Sequence, residues 1–193
     1  MAKMFMKDER RQLLQIAREA ITSLITSGSV PIREVKSEKL NAMFGCFVTI
    51  KKDGKLRGCI GNFISDKPLH KLVQEMASAA ATKDPRFYPM KKTDLENFTL
   101  EISVLSPLQK ISSIDEIQVG THGIYMERNV HRGVLLPQVA AEYGWDRETF
   151  LQQTAMKAGM GKDDWKENTD IYIFSAEVFN EDEVGPAKTA KKP

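Results

Sequence analysis

Cysteine is scarce in this chain, with only Cys46 and Cys59 among 193 residues. That excludes a disulfide scaffold and points to a reducing compartment, so a cytoplasmic location is expected. Long apolar runs are also lacking. The most apolar stretch, residues 42–50, is too short to cross a bilayer, and the first eight residues hold no apolar segment of signal-peptide length. No membrane partner is therefore expected. Neither sign of charge dominates, since 28 Lys and Arg stand against 26 Asp and Glu, a formal net charge of +2. No dense basic run stands out, which argues against a nucleic-acid partner. The spacings of the cysteines and of His70, His122 and His131 match no zinc pattern, and H-E-x-x-H is missing. P-loop, G-x-G-x-x-G and G-x-S-x-G motifs are missing too, so the residues imply neither a metal nor a cofactor.

What is present describes a folded protein, 41% hydrophobic and 28% charged. Leu13, Ala17, Ala20, Ile21 and Leu24 recur at helical spacing and predict a helix over 8–27, stopped by Gly28. Asp53-Gly54 between two short runs predicts a hairpin of residues 45–51 and 55–60. A second helix is expected over 67–81, with Pro68 in its first turn and His70 on its solvated face. Residues 98–105 alternate as a half-buried strand. A further hairpin is expected around Arg128-Asn129, followed by two short helices and a last strand over 171–178. The polar residues 181–193 read as a disordered tail. Strands mixed with helices and joined by tight hairpins point to an α+β fold with mainly antiparallel pairing. In this layout residues 1–108 and 167–180 form a larger lobe, an antiparallel sheet flanked by helices, and 109–166 a smaller inserted α/β lobe.

The segment Leu56-Arg57-Gly58-Cys59-Ile60-Gly61 is the first candidate site. Counting back from a two-residue turn sets Val48 opposite Cys59, so Cys46, Val48, Arg57 and Cys59 are expected on one face. A cation beside a thiol favours thiolate and makes it more nucleophilic. Gly58 and Gly61 remove side chains beside it, letting a ligand or another backbone approach. A lone strand cysteine equally reads as a small buried hydrophobe. A Cys46–Cys59 disulfide is disfavoured by diagonal spacing of about 7–8 Å. The second candidate is the stiff loop from Lys83 to Pro89, where Asp84, Arg86 and Phe87 either hold a ligand or tie a helix to the sheet. His122 and His131 are candidate general bases if the fold brings them near the thiol. Trp145 and Trp165 either pack the smaller lobe or line a pocket.

The LRGCIG segment resembles the signature of the AMMECR domain family. Asp84-Pro85-Arg86-Phe87, Glu101-Ile102-Ser103-Val104-Leu105, His122-Gly123-Ile124, Leu135 to Ala140 and Gly144-Trp145-Asp146 follow in that family's order, so the resemblance covers about residues 10–180. It implies two unequal lobes with a cleft between them, and no established activity. The implied reading is an enzyme or enzyme accessory binding a small-molecule ligand in the cleft. Cys59 is then nucleophile or redox thiol, Arg57 its activator and His122 a base. Gly58, Gly61, Asp84, Arg86, Phe87 and Glu101 shape the ligand site. Implied partners are a radical-SAM protein and a Memo-like, dioxygenase-resembling protein, and the alternative is a non-catalytic module or scaffold binding protein or RNA. Many members carry a cysteine where this chain has Ala155, so a mechanism needing that second thiol is excluded here.

Overall fold

Leu13, Ile16, Ala17, Ala20 and Ile21 fall on one stripe of a helix. In the computed structural model, which describes residues 4–185, they are buried along α1 (Lys7–Ser27). Glu9 accepts from the Met6 N–H at 2.9 Å at its start, and Gly28 at φ 75° ends it. The single-turn helix α2 (Glu38–Asn41) is capped by Ser37. The predicted hairpin is β1 (Gly45–Lys52) and β2 (Lys55–Asn62), turning through Asp53 at φ 50° and Gly54 at φ 75°. Helix α3 (Leu69–Thr82) follows, with Pro68 at its N-cap rather than inside its first turn. In β3 (Phe98–Leu105) the alternate residues Phe98, Leu100, Ile102 and Val104 are buried as the pattern requires.

The chain continues through β4 (Gln109–Lys110), β5 (His122–Arg128), β6 (His131–Leu135), α4 (Pro137–Glu142), α5 (Arg147–Lys157), β7 (Asp170–Asn180) and α6 (Glu181–Val184). Pairing of Arg128 with His131 makes Asn129-Val130 the turn of the second hairpin, one residue later than expected, with Asn129 taking φ 56°. Gly144 and Gly159, both left-handed, follow α4 and α5.

The fold is α+β, and two compact units divide the chain. One comprises residues up to Val104 and from Glu177 onward, the other Leu105–Ala176. The expected smaller part, 109–166, falls inside the second unit, which also holds most of β7. The first unit carries the strand order β2-β1-β3-β7 and a core that includes Leu13, Ile21, Val48, Ile50, Leu72, Ile102 and Phe179. The second carries β7-β5-β6 with β4 also on β7, around Ile124, Met126, Phe150, Leu151 and Trp165. Ala155 is fully buried in that core. Among the described residues no helix is long and apolar enough to cross a membrane.

Two expectations are corrected. His70 is buried, 6% exposed, with its Nδ1 3.1 Å from the Leu40 carbonyl, because α2 packs over that face of α3. The expected disordered tail begins with α6, whose Val184 is buried and whose Glu181 pairs with Arg18 at 2.6 Å. A polar stretch is held here by one apolar anchor and one ion pair. The remainder of the expected tail, 186–193, lies outside the described residues.

Candidate functional site

The β1–β2 pairing starts as predicted, with Lys52 facing Lys55 and Lys51 facing Leu56, and then slips, so that Ile50 faces Gly58. Arg57 is the extra residue of a β-bulge. Beyond the bulge every partner moves by one: Val48 faces Ile60, and Cys59 faces Thr49. Partners across an antiparallel pair share a face, so Cys59 sits on the face of Thr49 and Phe47, opposite Cys46 and Val48. The expected single face for Cys46, Val48 and Cys59 is corrected by that bulge. Both cysteines are free. Cys46 is buried, and burial pushes its thiol up from the ordinary value, whereas Cys59 is half-buried.

The bulge also redirects Arg57. Its guanidinium is buried, donates to the Tyr88 carbonyl at 2.9 Å, and lies 3.4 Å from the Asp94 carboxylate. The rings of Tyr88 and Phe87 flank it at 4.5 and 5.8 Å. Asp94 is held below the usual carboxylate range chiefly by the Lys91 backbone N–H, against burial, with Lys52 and Arg57 adding to the effect. Arg57 thus anchors the loop after α3. Sequence reasoning missed Asp94, because only the loop's return brings it to β2.

Cys59 is held through its backbone. Its N–H donates to Asp84 Oδ2 at 2.8 Å, and its carbonyl accepts from Arg86 Nη2 at 3.4 Å. β2 ends the strand order, so these groups face away from β1 and, among the described residues, lack a neighbouring strand. Asp84 and Arg86 occupy that open edge. Asp84 is 4% exposed and filled on both oxygens: Oδ1 accepts from the Arg86 N–H at 3.1 Å and Nε at 2.9 Å, and Oδ2 also accepts from Arg86 Nη2 at 2.7 Å. The Arg86 hydrogen bond is the main force holding the Asp84 carboxyl well below its ordinary range, against burial and helped by the backbone N–H groups of Cys59 and Arg86. Asp84 therefore acts here as an internal latch. Arg86, whose side chain is 54% exposed, is the cation at the Cys59 backbone carbonyl.

Thr49, absent from the sequence reading because of the register slip, donates its hydroxyl to Cys59 Sγ at 3.3 Å. The glycines answer to packing. A Cβ on Gly58 would meet the Ala80 carbonyl oxygen at 2.2 Å, and one on Gly61 would meet the Phe47 ring at 2.3 Å. Backbone approach is thus realised at Gly58 by α3, and Gly61 lies against an aromatic side chain. Glu101 on β3 pairs with Lys51 at 3.0 Å.

The structure therefore gathers Arg57, Gly58, Cys59, Gly61, Asp84, Arg86 and Phe87 on β2 and the loop after α3. His122 belongs to the second unit, where its Nδ1 lies 3.1 Å from the Glu116 carbonyl and 3.2 Å from the Gln118 nitrogen. His131 is there too, with its Nδ1 3.3 Å from the Ala158 carbonyl. Trp165 is buried in the core of that unit, and Trp145 stacks on Tyr143 at 5.0 Å. Among the described residues no three His, Cys, Asp or Glu side chains are grouped to hold a metal ion.

A family model described as AMMECR1 matches residues 14–179. A protein of Methanothermobacter thermautotrophicus is 44% identical over 91% of this chain and 96% of its own length. One from Methanopyrus kandleri is 40% identical over 94% and 93%. The crystal structure of an uncharacterised protein from Pyrococcus horikoshii superposes with a TM-score of 0.77 at 36% identity, covering 88% of this chain and 90% of that one. These matches run nearly end to end through the Cys59 hairpin, the Asp84 loop and the second unit, and the chain belongs to the AMMECR1 family.

Proposed function

We propose that this protein is an enzyme, or the accessory of one, that binds a small anionic ligand beside Cys59 and uses the Cys59 thiol as its reactive group. The observation that carries this reading is the fixing of one half-buried thiol from three sides: Asp84 on its N–H, Arg86 on its carbonyl and the Thr49 hydroxyl on its sulfur. The hydroxyl orients the sulfur, and the guanidinium at the same residue's carbonyl puts a cation for an anionic ligand on the same edge. A cysteine serving only as a hydrophobe needs neither, and Cys46, fully buried on the other face, is that case. The exposed part of Arg86 supplies the contact for the ligand's anionic group, while Arg57 and Asp84 position the loop. Arg57 and Glu101 are engaged elsewhere, with Asp94 and Lys51, and neither contacts the ligand in this reading.

Alkylation rates test it. The native protein is expected to take one label, at Cys59, and to react with iodoacetate relative to iodoacetamide roughly threefold faster than glutathione does, because a surface cation steers the anionic reagent. Arg86→Gln should erase that preference, Thr49→Val should slow both reagents, and Cys59→Ser should abolish labelling while leaving the fold intact. A thiol that stays unlabelled until the protein is unfolded would end the proposal.

A further inference from the structure

A second concave surface lies on the first unit. It is a groove of about 760 Å³ between α3, the end of α1 and the strap of residues 30–33. The strap is tied on both sides: Gln74 Nε2 donates to the Pro31 carbonyl at 2.6 Å, and Arg33 pairs with Glu19 of α1 at 2.6 Å. The groove is thus formed in advance of any ligand, and its volume falls within the roughly 300–1,000 Å³ of small-molecule sites. Its walls are apolar, with Leu24, Val30, Met76 and Ala79, and Ile32 stands on the strap 95% exposed. An isoleucine so fully in water contributes nothing to the core and is available to cover a ligand.

The charge on the lining is one-sided. Four cations, Arg33, Lys67, Lys71 and Lys83, stand against one carboxylate, Glu75. Lys67 is neutralised by Glu75 at 2.5 Å and Arg33 by Glu19, whereas among the described residues neither Lys71 nor Lys83 has an ion-pair partner. These two lysines are separated by twelve positions at α-helical rise, about 18 Å from one end of the groove to the other. An apolar trough with unpaired ammonium groups toward its ends fits a molecule with a long apolar body and an anionic terminus.

We propose that this groove binds a long-chain carboxylate free in solution, with the chain between Ile32 and Met76 and the carboxylate at Lys71 or Lys83. The site does not use the Cys59 thiol, although Lys83 at its end adjoins Asp84.

Titration calorimetry of the full chain with dodecanoate, below its micelle concentration, tests the proposal. Saturable uptake is expected, stronger than for dodecyl maltoside and stronger still than for dodecylammonium, which share the chain and differ in head charge. The double variant Lys71→Glu, Lys83→Glu and the single variant Ile32→Asp are each expected to weaken dodecanoate binding about tenfold or more. All three positions are exposed, so unchanged circular dichroism and melting should accompany the loss. Equal binding of the three amphiphiles, or variants that bind as wild type does, would overturn the assignment. So would flotation of the protein with phosphatidylglycerol vesicles without uptake of dodecanoate, which would make the groove a membrane-facing surface.

Discussion

Gly58→Ala is expected to lower the unfolding free energy by about 3 kcal/mol, at the upper end of what overpacking ordinarily does. The added methyl would stand 2.2 Å from the Ala80 oxygen and 3.1 Å from its carbonyl carbon. Both are backbone atoms of α3, so no side-chain rotation relieves the clash, and either the helix or the strand must move. α3 is packed on β1, on β2 and on α1, and moving it opens contacts through the core of the first unit. Two other glycines calibrate the effect. At Gly61 the obstacles are the Phe47 ring, which can swing, and the Cys46 backbone oxygen at 2.5 Å, which cannot, so alanine there should also be clearly destabilising. At Gly54 nothing lies within 4 Å, and alanine meets only the left-handed φ of 75°, which costs about 1–2 kcal/mol. Urea midpoints should therefore fall further for Gly58→Ala than for Gly54→Ala. Because the contact is with a carbonyl, Ala80→Gly should not rescue it. A Gly58→Ala protein within about 0.5 kcal/mol of wild type would show that the helix does not press on the hairpin.

The Gly58 contact illustrates what the sequence could and could not disclose. Apolar periodicity places α1, α3 and β3 to within a residue or two, because buried stripes are properties of the chain itself. The Asp53-Gly54 turn is equally legible, since both residues take positive φ cheaply. The bulge at Arg57 leaves only an ambiguous mark, the glycine beside it. Gly58 is compatible with a bulge but equally with the close backbone approach that α3 makes there, yet that single slip changes the face of Cys59 and brings in Thr49 as its partner. It also sends Arg57 to Asp94 and leaves Arg86 as the cation at the Cys59 carbonyl. His70 fails for a related reason: its helical position is polar on a wheel, and only the short α2 packed above it makes that position an interior one. Helical spacing assigns a side chain to a face of its own helix, but what covers that face is a tertiary matter.

Asp84→Ala is expected to lower stability by about 2 kcal/mol at neutral pH and to do so progressively less in acid. The carboxylate accepts four hydrogen bonds, three from Arg86 and one from the Cys59 N–H. Breaking a fully buried ion pair typically costs about 3–5 kcal/mol. Arg86 is more than half exposed and regains water when released, so the smaller figure applies. What remains is the unpaired Cys59 N–H and the loss of the cap on the β2 edge. The pH dependence follows from the lowered Asp84 carboxyl. A group more acidic in the folded state stabilises it fully above the unfolded-state value of about 3.9, and this is lost as pH falls through the folded-state value. The gap between wild type and Asp84→Ala should therefore be constant from pH 8 to pH 5 and close below about pH 4. Taking the difference between the two proteins removes the acid sensitivity of the other carboxylates, Asp94 included, to the extent that distant groups act independently. Asp84→Asn provides the control: it cannot ionise, and its amide presents a donor where Arg86 or Cys59 also donates, so it should be destabilised at neutral pH without the acid-dependent component. A gap between wild type and Asp84→Ala that stayed the same from pH 7 to pH 3 would mean that Asp84 does not act as a charged latch. The edge of β2 at Cys59 would then have to be held by Arg86 and the Arg57–Tyr88 contact alone.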